Sequence, residues 1–139
     1  MSALKCPNAL PEVPACLLLT NYRGTGEPGT NKWALHRVGR RFLHQVAKAL
    51  GQECSIDADK GTPSSSGHVT LNTPNLLIRM SEGAMCRGLV LEYRRCDANE
   101  DGRLVELAAL LDPECMHAWI ATLKRLTRRA EGISPQMAA

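Results

Sequence analysis

Carboxylates are absent from one long stretch of this chain. Between Pro28 and Gln52 there is no Asp or Glu, although Lys32, Arg37, Arg40, Arg41 and Lys48 all fall inside it. Aromatics are scarce at 4%, so any core is aliphatic and base-stacking platforms are few. No apolar run approaches the roughly 18 residues of a membrane span, the longest clear one being Cys16-Leu17-Leu18-Leu19. The six cysteines form no C-x-x-C pair, and with His36, His44, His68 and His117 they show no zinc-ligand spacing. The first residues lack the charged-then-apolar order of a signal peptide, and Pro11 and Pro14 break any apolar segment. These absences predict a cytoplasmic protein whose cysteines are free thiols, mostly buried as small hydrophobes, with no cofactor and no metal.

What is present is ordinary in bulk. The 139 residues are 44% hydrophobic and 22% charged, the size and composition of one self-supporting domain. Residues 1–13 read as a loose N-terminal segment, 14–132 as a single domain and 133–139 as a C-terminal tail. Residues 16–22 read as a short apolar strand, and the glycine-rich turn after them leads into the clearest helix, residues 32–50. There Leu35, Val38, Phe42, Val46 and Ala49 recur at helical steps, Thr30 or Asn31 can cap the start, and Gly51 suits the stop. Residues 53–60 alternate as a half-buried strand. Residues 68–72, 76–81 and 88–96 read as three more strands joined by short turns. Residues 103–110 fit either a last strand or a short helix, and the turn before them favours the strand. A final helix opens at Asp112-Pro113-Glu114 and is expected to close at Gly132. The order predicts an α+β fold: an antiparallel sheet of five or six strands with both helices on one face.

Several motifs approach a recognisable site and then depart from it. Gly26-Glu27-Pro28-Gly29-Thr30-Asn31-Lys32-Trp33 resembles a phosphate-binding P-loop in the spacing of Gly26 and Lys32. Asn31 replaces its second glycine, however, and Trp33 replaces the hydroxyl that would hold magnesium. Gly26, Gly29, Thr30 and Lys32 are left as a candidate anion site at a helix N-terminus, where free amides and the dipole favour a phosphate. Gly24-Thr25-Gly26-Glu27-Pro28-Gly29 also satisfies G-x-G-x-x-G, but the parallel βαβ unit of a dinucleotide fold is missing. Asp97, Asn99 and Asp101 begin a calcium-loop pattern whose twelfth position is Ala108 rather than Glu, so the segment reads better as a turn. Ser64, Ser65 and Ser66 near His68 form no motif of nucleophilic catalysis, and neither H-E-x-x-H nor G-x-S-x-G occurs.

The strongest signal is charge segregation. Arg37, Arg41, His44 and Lys48 lie at i, i+4, i+7 and i+11, one stripe opposite the apolar face of the first helix. The last helix adds Lys124, Arg125, Arg128 and Arg129, whereas acids gather in strands and turns. A formal charge of only +3 conceals this division. The pattern predicts a non-catalytic adaptor or regulatory protein that presents basic helices to an anionic partner. An acidic protein surface fits better than nucleic acid, because the pI is only about 8.6 and no nucleic-acid-binding signature is visible. Sequence-nonspecific nucleic-acid binding is the alternative, and a phosphate- or nucleotide-binding enzyme using residues 24–32 a lesser one. No membrane association is expected. A sheet edge could pair with a second copy to form a homo-oligomer.

Overall fold

The computed structural model describes residues 10–83, 88–96 and 102–138, with side chains to residue 128. Helix α1 spans Asn31–Leu50. Thr30 caps it, its Oγ1 accepting from the Trp33 amide at 3.2 Å, and Gly51 ends it in the left-handed conformation, φ 69°, with its amide bonded to Ala47 and Lys48 carbonyls. That conformation is cheap only for a residue without a Cβ.

Five strands follow: β1 (Ser55–Asp59), β2 (His68–Asn72), β3 (Leu76–Glu82), β4 (Leu89–Arg95) and β5 (Arg103–Glu106). They form one antiparallel meander in sequence order, with β1 and β5 at the edges. The register aligns Ala58, Val69, Met80, Leu91 and Val105 across all five strands on the face that carries the core. One residue along, Asp57, Thr70, Arg79, Glu92 and Leu104 line up on the other face. Period-two alternation therefore puts the apolar set towards the helices and a mixed polar set away from them.

Helix α2 spans Pro113–Ala138 and, with α1, covers the apolar side of the sheet. Asp112 opens it, its Oδ1 accepting from the Glu114 amide at 3.0 Å. Met116, Trp119, Ile120, Leu123 and Leu126 are its buried stripe, and Trp119 meets Tyr93 of β4 edge to face at 5.9 Å. Phe42, Leu43 and Val46 of α1 join the same core. At Gly39, α1 packs against Met80 of β3 and Val69 of β2. A Cβ there would stand 3.1 Å from Met80 Sδ, so the helix tolerates a poor helix former to pack tightly.

The α+β architecture is as expected, with three differences. Residues 16–22 are not a strand: a 3₁₀ turn occupies Ala15–Leu17, and Asn21 adopts a positive φ of 62°. Leu17 and Tyr22 plug the core from this irregular segment, and the Tyr22 hydroxyl accepts from the Leu19 amide at 2.8 Å. A short apolar run is equally compatible with a strand and a plugging turn, and only a neighbouring edge decides. Residues 103–111 contain both of the alternatives read from them, a strand followed by a 3₁₀ turn over Leu107–Leu111. Finally, α2 continues through Gly132 instead of stopping there, since a glycine ends a helix only where it turns left-handed.

Candidate functional site

The turn that enters α1 is closed by its own lysine. Lys32 lies in the first turn of α1 and is 2% exposed. Its Nζ donates to the carbonyls of Gly24 at 2.8 Å, Thr62 at 2.9 Å and Ser65 at 3.0 Å. An ammonium has three protons and all three are used, so the P-loop-like spacing places a clasp between two loops. The Gly24 amide adds a parallel tie to the Pro63 carbonyl at 2.8 Å. Among the other residues of the candidate anion site, Gly26 is buried beside the Lys32 stem and Gly29 is exposed. Thr30 spends its hydroxyl on the cap and on the Glu27 carbonyl at 2.7 Å. The Thr30 hydroxyl and the Lys32 ammonium are thus both engaged by the protein's own groups.

The arginines are arranged differently. Arg37, Arg40, Arg41, His44 and Lys48 are all exposed, on the side of α1 turned away from its buried stripe. None of them forms an ion pair among the described residues. Arg37 lies over the Trp33 ring, 5.5 Å from its centre, a cation–π contact that orders the guanidinium. His44 Nδ1 is 3.9 Å from Cys54 Sγ. On α2, Arg125 and Arg128 are exposed and Lys124 half-buried, with Arg125 Nη2 donating to Thr122 Oγ1 at 3.2 Å. Both helices lie on one side of the sheet, so both sets of cations face away from it on that side. The side chain of Arg129, and all of Asp97, Asn99 and Asp101, lie outside the described residues.

Where the flank of α1 meets β1, Trp33, His36, Arg37, Arg40, Arg41, Ala58 and Lys60 line a groove of ≈ 420 Å³. Its lining carries four basic side chains and no carboxylate. His36 is buried at 7% exposure, and its Nε2–H donates to the Ser66 carbonyl at 2.9 Å. That tautomer leaves Nδ1 as a buried acceptor without a partner. Burial first, then the charges of Lys32, Lys60 and His68, hold the His36 pKa below its ordinary value of 6.5, against the opposing Ser66 hydrogen bond.

Sequence spacing finds the Arg37, Arg41 and Lys48 stripe, but Ala58 and Lys60 carry no local signal that they border it. Their place in the groove follows from α1 lying across β1 and β2. The serine loop holds no catalytic pair. Ser66 Oγ donates to the Gly67 carbonyl and accepts from the Glu82 amide, Ser64 Oγ meets Thr62 Oγ1, and no hydrogen bond joins His68 to a serine among the described residues. Nor do the described residues bring together three His, Cys, Asp or Glu side chains that could hold a metal ion. Cys16, Cys54, Cys96 and Cys115 form no disulfide, and three of the four are exposed rather than buried as expected. Among the described residues no helix is long and apolar enough to cross a membrane. In comparisons with known proteins, no family model, no curated protein and no solved structure matches the chain.

Proposed function

We propose that this protein is a non-catalytic binding module, an adaptor or regulatory protein, which presents the basic outer surface of α1 to an acidic surface of a partner protein. One observation carries the reading: Arg37, Arg40, Arg41 and Lys48 are exposed together on a helix with no carboxylate, and no ion pair within the described residues neutralises them. Unneutralised like charges are costly to crowd on one helix, so their energy is recovered when an anionic surface docks. Arg125 and Arg128 on α2 extend the positive surface on the same side of the sheet. A protein partner is favoured over nucleic acid because, among the described residues, Trp33 is the one Trp, Tyr or Phe lining the groove, and Arg37 already covers one face of it. A cytoplasmic setting is supported by four described cysteines that form no disulfide.

The test is capture of labelled poly-glutamate and of single-stranded DNA, each at low and moderate salt. The native protein is expected to retain poly-glutamate at low salt and to lose it in the R37E/R41E/R128E variant. Stronger and more steeply salt-dependent retention of DNA shifts the reading to nucleic acid. If the triple variant binds as the native protein does, the proposal fails.

A further inference from the structure

The basic groove runs beside an open sheet edge. Among the described residues β1 pairs only with β2 and the backbone groups on its far side have no strand partner, and Ser55, Asp57, Ala58 and Asp59 are exposed there. Such an edge is a template for strand addition unless something blocks it. β1 contains no proline and none of its residues is a lysine, the two common blocking devices. A strand laid along β1 would run about 4.8 Å from it. Because side chains alternate, half of those on the added strand would project to the α1 side and half to the opposite side. The α1 side meets Arg37, Arg40, Arg41 and Lys60. The other side adjoins Asp57 and Asp59, whose carboxylates accept from Asn72 Nδ2 at 3.3 Å and the Gly61 amide at 2.9 Å respectively.

We propose that the β1 edge binds an extended segment of a partner protein by strand addition, with acidic side chains at alternate positions facing the arginines and neutral or basic ones between them. The inference rests on the anionic-partner reading and deepens it by giving the partner a backbone conformation and a sequence pattern. Charge argues against a second copy as the occupant. Antiparallel pairing of two β1 edges would set the arginine flanks of two α1 helices against each other on one face, and Asp57 and Asp59 against their counterparts on the other. Like charges placed opposite across strands are destabilising. The opposite edge, β5, is shorter, and its Leu104 is 67% exposed.

The experiment uses a short fluorescent peptide alternating glutamate with threonine, and two N-methylated forms, one methylated at the glutamates and the other at the threonines. In an antiparallel ladder only one alternate set of residues turns its amides towards β1. The parent peptide and one methylated form are therefore expected to bind alike in fluorescence anisotropy, and the other form to lose at least about tenfold in affinity, as does the parent on R37E/R40E protein. Equal binding of all three peptides overturns strand addition while leaving the anionic-partner reading intact. Absence of binding by every peptide and by poly-glutamate overturns both. A single-stranded oligonucleotide that binds where no peptide does overturns the peptide as occupant.

Discussion

Replacing Lys32 by Met removes the ammonium but keeps a linear apolar stem in the buried channel. Its three bonds to carbonyl oxygens are charge-assisted, and at about 1.5 kcal/mol each they would total roughly 4–5 kcal/mol. Two effects reduce that figure. Thr62 and Ser65 are exposed residues whose carbonyls can turn to water, and the methionine escapes the desolvation of a buried charge. The net loss is expected to be about 2 kcal/mol, or roughly 6–8 °C in melting temperature for a chain of this length. Urea denaturation measures the first and thermal circular dichroism the second. Because the lysine and the Gly24–Pro63 hydrogen bond clasp the same two loops, exchange of the Gly24 amide should also quicken by at least about tenfold. A K32M protein within about 0.5 kcal/mol of native, with unchanged Gly24 exchange, refutes the view that the ammonium holds these loops together.

Two further predictions concern stability. Gly67 has φ 68°, and a Cβ there would strike the Asp59 carbonyl oxygen and lie 2.7 Å from the Lys60 carbonyl carbon. These are backbone atoms that cannot swing aside, so Gly67→Ala should cost about 3 kcal/mol or more in urea denaturation. The second prediction concerns pH. His36 and His68 both have pKa values lowered from 6.5, mainly by burial, with Lys32 and Lys60 adding to the effect at His36 and Arg79 at His68, where Asp59 opposes it. A lowered folded-state pKa means that the unfolded chain takes up protons first. Their stabilising contribution is therefore complete above 6.5 and is lost as pH falls through the folded-state values. Denaturation midpoints followed from about pH 8 to about pH 5 should decline, and less steeply in H36Q, whose amide can still donate to Ser66. An equal slope in native and H36Q protein contradicts the assignment for His36.

Local sequence was a good guide wherever one element carries its own punctuation. Thr30 and Gly51 bracket α1, and residues 68–72 and 76–81, set between short turns, anticipate β2 and β3. It failed where the deciding partner is distant. The run beginning at Cys16 is apolar enough for a strand, but it pairs with neither edge strand of the sheet and instead turns and buries Leu17 and Tyr22. Gly132 resembles a helix stop, but the backbone of α2 stays helical through it. The spacing of Gly26 and Lys32, which a P-loop shares, points to an anion ligand. The burial of Lys32 and its bonds to Thr62 and Ser65 depend on a loop that follows β1, and no window around residue 32 contains it.

The amino-acid sequence by itself determined the two amphipathic helices, the alternation of the central strands and the exclusion of carboxylates from the first helix, because each of these is a periodicity or composition within one segment. Tertiary structure decided which cations work alone and which work together. It turned Lys32 inward to close two loops, and it laid the flank of α1 across β1, so that Arg37, Arg40 and Arg41 share a groove with Lys60 at an open edge. That choice is physical. Lys32 enters on the core side of the helix, where its charge must be met by carbonyls, while the arginines leave on the solvent side, where no acid among the described residues pairs with them.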